Sequence, residues 1–149
     1  MIASVLLVLH LLGAVIWVGG MFFALLVLRP SLVVLQPPER LALHGQVFTR
    51  FFRVVWHVMP IMLLTGYAMV FAVYGGFANV GWNVNVMNAT GLVMSAIFVF
   101  IALVPFRALR TAMAAGNAPA AAGAAARIRS LIGVNLLLGL ITAAIAGWK

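Results

Sequence analysis

The sequence predicts an all-α integral membrane protein, a four-helix bundle formed by a single domain over residues 1–149. Three observations support this prediction. Hydrophobic residues make up 66% of the chain and charged residues only 7%, and the mean hydropathy is +1.24, values far outside those of soluble domains. The apolar residues form four long runs, and the basic residues lie between the runs, where they would anchor helix ends to lipid headgroups.

The apolar runs are near the length of ~20 residues that crosses a hydrocarbon core. They predict spans at about residues 2–28, 54–74, 89–104 and 130–148. The first run lacks a basic leader and is too long for a signal-peptide core, so we expect it to be a retained span. Residues 39–53 predict an amphipathic lead-in to the second span. Residues 111–126 are Ala-rich but contain Gly116, Pro119 and Gly123, which predicts a cytoplasmic linker.

The distribution of arginine predicts the orientation. Two connecting segments carry these residues: Arg29, Arg40, Arg50 and Arg53 in the first, and Arg107, Arg110, Arg127 and Arg129 in the third. The connection between the second and third spans carries none. The positive-inside rule therefore places both basic segments in the cytoplasm and both termini on the periplasmic side. The chain is predicted to be a multi-pass protein of the bacterial inner membrane, with the lipid bilayer as its first partner.

Composition excludes several classes of function. Nine basic residues against one acid, Glu39, give a net charge of +8, but their position at helix ends suits headgroups and predicts no nucleic-acid binding. One carboxylate cannot form a catalytic pair, a triad or a two-metal site, so hydrolysis is not expected. Proton pumping through buried carboxylates is not expected for the same reason. The absence of cysteine removes thiolate metal sites.

Polar residues within apolar spans are costly and therefore point to function. Serine and threonine can bond to the carbonyl one turn back, which leaves His10, His57 and Asn135 as candidates. Imidazole is the commonest protein ligand of haem iron and also suits copper. We predict His10 and His57 as metal ligands, with the thioether of Met69 near the level of His10. The alternative is that each histidine only joins two helices by a hydrogen bond.

The first helix has a distinctive face. His10, Gly13, Trp17 and Gly20 are spaced three, four and three residues apart and lie on one side of a helix. The glycines would admit a flat macrocycle, and Trp17 could stack on it, so we predict these residues to be cofactor-binding together with Asn135. A packing seam of small residues, common in membrane helices, is the alternative.

Arg50 and Arg53 are candidates to pair with haem propionates, because a guanidinium matches carboxylate geometry. Headgroup anchoring is the alternative for both. Depth along the spans separates His10 from His57 by ~16 Å, counting 1.5 Å per residue from the span centres. One haem held by both histidines and two separate sites therefore stay open at this point.

Three segments resemble a known group of proteins. Residues 9–22 (LHLLGAVIWVGGMF), with His10 and Trp17 seven residues apart, resemble the first helix of the CopD-like and HemJ-like small membrane proteins. Residues 48–66, ending LLTG, are similar to the second helix of that group, and residues 129–139 to its last helix. The resemblance implies a four-helix unit in which His10 corresponds to a haem ligand.

The two branches of the group imply different functions. HemJ-like members imply bound haem b and oxidation of protoporphyrinogen IX, but the third span here lacks the lysine of that pattern. CopD-like members imply copper transport or tolerance. We predict a b-type haem protein with a redox or electron-transfer role on a porphyrin or quinol-like substrate, a possible haem-dependent oxidoreductase. A copper-handling protein and a structural accessory subunit are the alternatives. Further copies of the chain or membrane redox proteins are candidate partners.

Overall fold

The fold is a bundle of long helices, as the composition predicts. The computed structural model describes residues 1–148, and within that range it contains no β-strand. Four helical segments are long and apolar enough to cross a membrane: Ile2–Val34, Pro37–Ala72, Trp82–Ala114 and Ala118–Gly147. The chain is therefore an all-α, multi-pass membrane protein.

The first segment changes its winding before it ends. Helix α1 covers Ile2–Phe22, a π-helical stretch covers Phe23–Leu28, and the three-residue helix α2 covers Arg29–Ser31 before a 3₁₀ turn at Leu32–Val34. Pro30 has no N–H to donate one turn back, and its ring crowds the preceding carbonyls. A wider turn just before a proline relieves that crowding.

Helix α3, Pro37–Ala72, is the longest in the molecule. It starts with a capping box in which the Gln36 N–H donates to the Glu39 carboxylate at 2.9 Å. The predicted lead-in 39–53 and the apolar run that follows it are therefore one continuous helix. Pro60 lies inside this helix without ending it.

Helix α4 covers Trp82–Leu103 and starts earlier than the sequence indicated. The expected turn extended to residue 88, but Gly75 and Gly76, with φ of 75° and 117°, complete the reversal before Trp82. The asparagines that follow are helical. Pro105 ends α4 as expected, and it opens the short helix α5, Pro105–Ala114, at a position where a proline costs no hydrogen bond.

The predicted linker 111–126 is wrong. Helix α5 continues to Ala114 and helix α6 covers Ala118–Gly147, so only three residues separate them. Gly116, with φ 65°, makes the turn. The alanines are strong helix formers, and Pro119 lies in the first turn of α6, where a proline is tolerated.

The helices form two packed groups. Helix α1 lies mainly against α3, while α4 and α5 lie mainly against α6. An aromatic cluster joins these pairs: Phe98 of α4 meets Trp17, Phe52 and Trp56 edge to face at centroid distances of 6.2, 5.8 and 5.1 Å. Large apolar side chains such as Leu64, 70% exposed, cover the outside, which suits a surface solvated by lipid.

Candidate functional site

His10 lies between α1 and α3. Its Nδ1 is 3.0 Å from the Met62 carbonyl oxygen and 3.2 Å from the Thr65 hydroxyl. A Cβ added at Gly66 would lie 3.2 Å from the His10 ring, so the absence of a side chain there admits the imidazole. Thr65 is itself 6% exposed and 2.7 Å from the Ile61 carbonyl oxygen. The ring is thus held on three sides by one turn of α3.

The hydrogen bond fixes the protonation of the neutral ring. A carbonyl oxygen only accepts, so Nδ1 of His10 carries the proton and donates it to Met62. Nε2 then keeps its lone pair, and none of the described residues bonds to it. An imidazole oriented by a carbonyl at one nitrogen and free at the other is the arrangement of a histidine metal ligand.

A methionine of α3 packs against α1 one turn from this imidazole. The Cγ and Sδ atoms of Met62 are 2.5 and 3.2 Å from the position that a Cβ at Gly13 would take, and Gly13 is one turn from His10 on α1. Met69 follows Met62 by two turns, so it lies on the same face of α3. This face carries the carbonyl that bonds to the imidazole and two methionines, of which Met62 contacts α1. Imidazole nitrogen and thioether sulfur together form a donor set that suits Cu(I).

His57 does not face His10. Its side chain is exposed, and its Nδ1 bonds to the Arg53 carbonyl oxygen of its own helix at 2.7 Å. His10 lies at the level of Met62–Gly66, five to nine residues further along α3, or about 8–13 Å at 1.5 Å per residue. The structure therefore does not bring the two histidines together in one site.

The glycines on the face of α1 are covered by side chains. Met62 fills the space at Gly13, and the Phe51 ring fills the space at Gly20. Trp17 is 3% exposed and packs on Phe98. The face expected to receive a macrocycle is covered in this structure by side chains of α3 and α4.

Arg50 and Arg53 lie at a different level from His10. Both are exposed, and together with Arg110 they line an open cleft of about 630 Å³ between α3 and α5. Arg53 precedes Met62 by nine residues, about 14 Å along the helix. They therefore form part of the basic end of the bundle, defined here as the end that carries the arginines of α2, α3, α5 and α6.

Asn135 lies in the core between α4 and α6. It is 2% exposed, its Nδ2 donates to the Met94 carbonyl at 3.2 Å, and its Oδ1 has no partner within residues 1–148. One turn further along α6, a Cβ at Gly139 would meet Val18 of α1 at 2.9 Å. Val18 is eight residues, about 12 Å, from His10 along α1, so Asn135 is separate from the imidazole.

Sequence reasoning missed three members of the His10 environment. Met62 was one methionine among eight, and only its seven-residue spacing from Met69 was visible as a signal. Thr65 had been set aside as self-satisfied, which its bond to Ile61 bears out, although its hydroxyl also contacts His10. Gly66 carried no signal, because its role depends on which helix lies opposite.

The fold and the imidazole between its helices define a multi-pass membrane protein with a candidate metal ligand in its interior. The model of the CopD family, copper resistance protein D, matches residues 45–149. The chain belongs to the CopD family, a membrane protein family of the copper resistance kind, as the resemblance predicted. The matched region includes Met62 and Met69 but not α1 with His10. Neither the comparison with curated proteins nor that with solved structures gave a match.

Proposed function

We propose that this CopD-family protein handles copper inside the membrane, with Cu(I) as its cargo, and that Nε2 of His10 and the thioether of Met62 are its first ligands. Met69, on the same face of α3, is the next donor along the route of the ion through the bundle. The observation that carries the proposal is the geometry of His10. Its Nδ1 is bonded to the Met62 carbonyl at 3.0 Å, which leaves Nε2 free to bind a metal.

The donor chemistry favours Cu(I) over harder ions. Thioether sulfur and imidazole nitrogen select soft metals, whereas Mg²⁺ and Ca²⁺ require oxygen ligands. Glu39, the one acidic side chain of the chain, bonds to the Gln36 N–H at the start of α3. An uncharged site with few ligands also allows an ion to leave again, as transport requires.

A b-type haem is the alternative ligand for the same imidazole. The free Nε2 of His10 favours it, because an axial histidine needs that nitrogen. Two observations argue against haem. Side chains cover Gly13 and Gly20, which leaves no space for a macrocycle there, and His57 is exposed, which leaves no second imidazole beside His10. A redox or oxidoreductase role on a porphyrin or quinol depends on this alternative.

The proposed setting is the bacterial inner membrane, with the basic end of the bundle in the cytoplasm. The arginines of α2, α3, α5 and α6 lie at that end, and the connection between α3 and α4 carries no charge. His10 is then in the periplasmic half of the bilayer, where it could receive copper from that side. We also propose that the protein associates in the membrane with further copies of itself or with membrane redox proteins.

A Cu(I) competition titration tests the copper proposal. The protein in mild detergent competes with a chromophoric Cu(I) chelator under reducing conditions. We expect His10→Gln to weaken binding about tenfold or more, since each tenfold step is only 1.4 kcal/mol. Met62→Leu conserves volume and removes the sulfur, so it should weaken binding while the fold is kept.

His57→Gln is the matched control, because it removes an exposed imidazole of α3 that does not face His10. Its affinity should equal that of the unaltered protein. Equal loss in His10→Gln and His57→Gln, or no loss in either, would contradict the proposal. A dithionite-reduced visible spectrum of the same preparation tests the alternative: a b-type band that His10→Gln removes would replace copper with haem.

A further inference from the structure

A second cavity at the basic end of the bundle has a composition of its own. It measures about 590 Å³ and lies between the end of the first helical segment, the start of α3 and the first half of α6. Arg29, Arg40, Arg129 and His44 line it together with apolar side chains, among them Leu25. We call it the arginine cavity. It is distinct from the cleft of Arg50, Arg53 and Arg110.

The positive charge in this cavity is uncompensated. Glu39 caps the start of α3, and no carboxylate of the described residues pairs with a guanidinium that lines the cavity. Arg29 of α2 and Arg129 of α6 line the same cavity, together with Arg40. Several like charges around one cavity are unfavourable unless an anion lies between them.

One of the three guanidiniums is positioned by the backbone. Arg40 donates from Nε to the Leu35 carbonyl at 2.6 Å and from one terminal nitrogen to the Val33 carbonyl at 3.0 Å. These bonds hold the side chain against the turn between α2 and α3. The remaining N–H groups of Arg40 have no partner in the part of the chain that the structure describes, so they are available to a ligand.

His44 lies in the wall of the cavity, one turn of α3 after Arg40. Its Nδ1 donates to the Arg40 carbonyl at 3.0 Å. Its Nε2 is buried without a partner within residues 1–148 and has no surface open to the cavity. The arginines are therefore the polar groups that a ligand in the cavity would meet.

We propose that the arginine cavity binds a phosphate group, with Arg29, Arg40 and Arg129 on the phosphate oxygens. Guanidinium groups bind phosphate in a two-pronged geometry, which three of them around one cavity can share. The apolar lining and the position at the basic end allow two sources. One is the headgroup of an anionic lipid such as phosphatidylglycerol, and the other is free phosphate.

Native mass spectrometry of the detergent-solubilised protein tests the proposal. Phosphatidylglycerol is compared with a diacylglycerol of the same acyl chains, which lacks the phosphate. We expect phosphatidylglycerol to be retained, and Arg129→Gln or Arg29→Gln to weaken its binding about tenfold, since a hydrogen bond to a charged group is worth more than a neutral one.

Arg107→Gln is the control, since Arg107 is exposed, lies near the same end and lines neither cavity. Dialysis against radiolabelled inorganic phosphate distinguishes the sources. Displacement of the lipid by phosphate assigns the site to a free anion, whereas retention of the lipid assigns it to a headgroup. The proposal is overturned if neither probe binds better than diacylglycerol or chloride, or if Arg107→Gln weakens binding as much as Arg129→Gln does.

Discussion

The three histidines use the same ring nitrogen in different ways. Nδ1 of His44 and of His57 bonds to the carbonyl four residues back in its own helix, whereas Nδ1 of His10 reaches the Met62 carbonyl on another helix. In the sequence, each is a histidine in or near an apolar run, and spacing alone could not separate them. Only the pairing of α1 with α3 shows that His10 is held between helices and that His57 points outward.

Asn135 shows the same limit of the sequence. Its burial could be predicted, but the lack of a hydrogen-bond partner for its Oδ1 within residues 1–148 could not. Since Oδ1 has no partner, Asn135→Leu should cost at most about 1 kcal/mol and can even stabilise the protein. Asn135→Asp would place a charge in the core and should lower the stability by several kcal/mol. Thermal unfolding in detergent checks both variants. A strong loss for Asn135→Leu would mean that Oδ1 has a partner.

At the scale of helices, the sequence predicted which helices exist better than it predicted where each helix begins and ends. The apolar runs gave the four long segments, and Pro105 gave the end of α4. The start of α4 and the extent of α6 were missed, because local breakers such as Pro119 and Gly123 are accommodated when they fall in a first turn or among alanines. A hydropathy profile does not detect the ends of helices that extend beyond the apolar runs.

The contact between α1 and α6 depends on Gly139. A Cβ there would lie 2.9 Å from Val18 and 3.1 Å from Met94, so Gly139→Ala must push these helices apart and should lower the melting temperature. Gly91→Ala in α4 is the control, because within residues 1–148 its added Cβ would meet no atom within 4 Å apart from the adjoining backbone of α4 and its chain neighbours. It should be neutral or stabilise by up to about 1 kcal/mol. The reverse order of the two melting temperatures would contradict this packing.

The turn between α5 and α6 depends on Gly116 and Asn117. Gly116 has φ 65°, and the Asn117 side chain accepts from the Ala120 N–H at 3.1 Å. Gly116→Ala and Asn117→Ala should each destabilise the turn by about 1 kcal/mol. Amide hydrogen exchange at Ala118, Ala120 and Ala121 should become faster in both variants. Unchanged exchange would argue for the linker that the sequence predicted.

For the molecule as a whole, charge and hydropathy predicted the class of fold, and the family match agrees with that class. They could not predict which apolar faces meet, because in lipid the outside is as apolar as the inside. Leu64, 70% exposed, and Ile132, 2% exposed, are both aliphatic residues within long apolar runs. The surroundings of His10 were therefore predicted only in part: its place in an apolar span was predicted, but its partners on α3 were not.

The orientation of the bundle can be measured with single cysteines, since the chain has none of its own. Asn79→Cys lies in the uncharged connection between α3 and α4, and Ala115→Cys lies in the turn between α5 and α6; both positions are exposed. In intact spheroplasts, a membrane-impermeant thiol reagent should label the first and not the second. Labelling of Ala115→Cys alone would invert the proposed topology.

The copper X-ray absorption spectrum of the Cu(I)-loaded protein tests most directly whether His10 and Met62 bind the metal. We expect imidazole nitrogen together with sulfur around the metal, with the imidazole signal lost in His10→Gln and sulfur reduced in Met62→Leu. A first shell made only of light atoms and unchanged in both variants would contradict the assignment of His10 and Met62 as copper ligands.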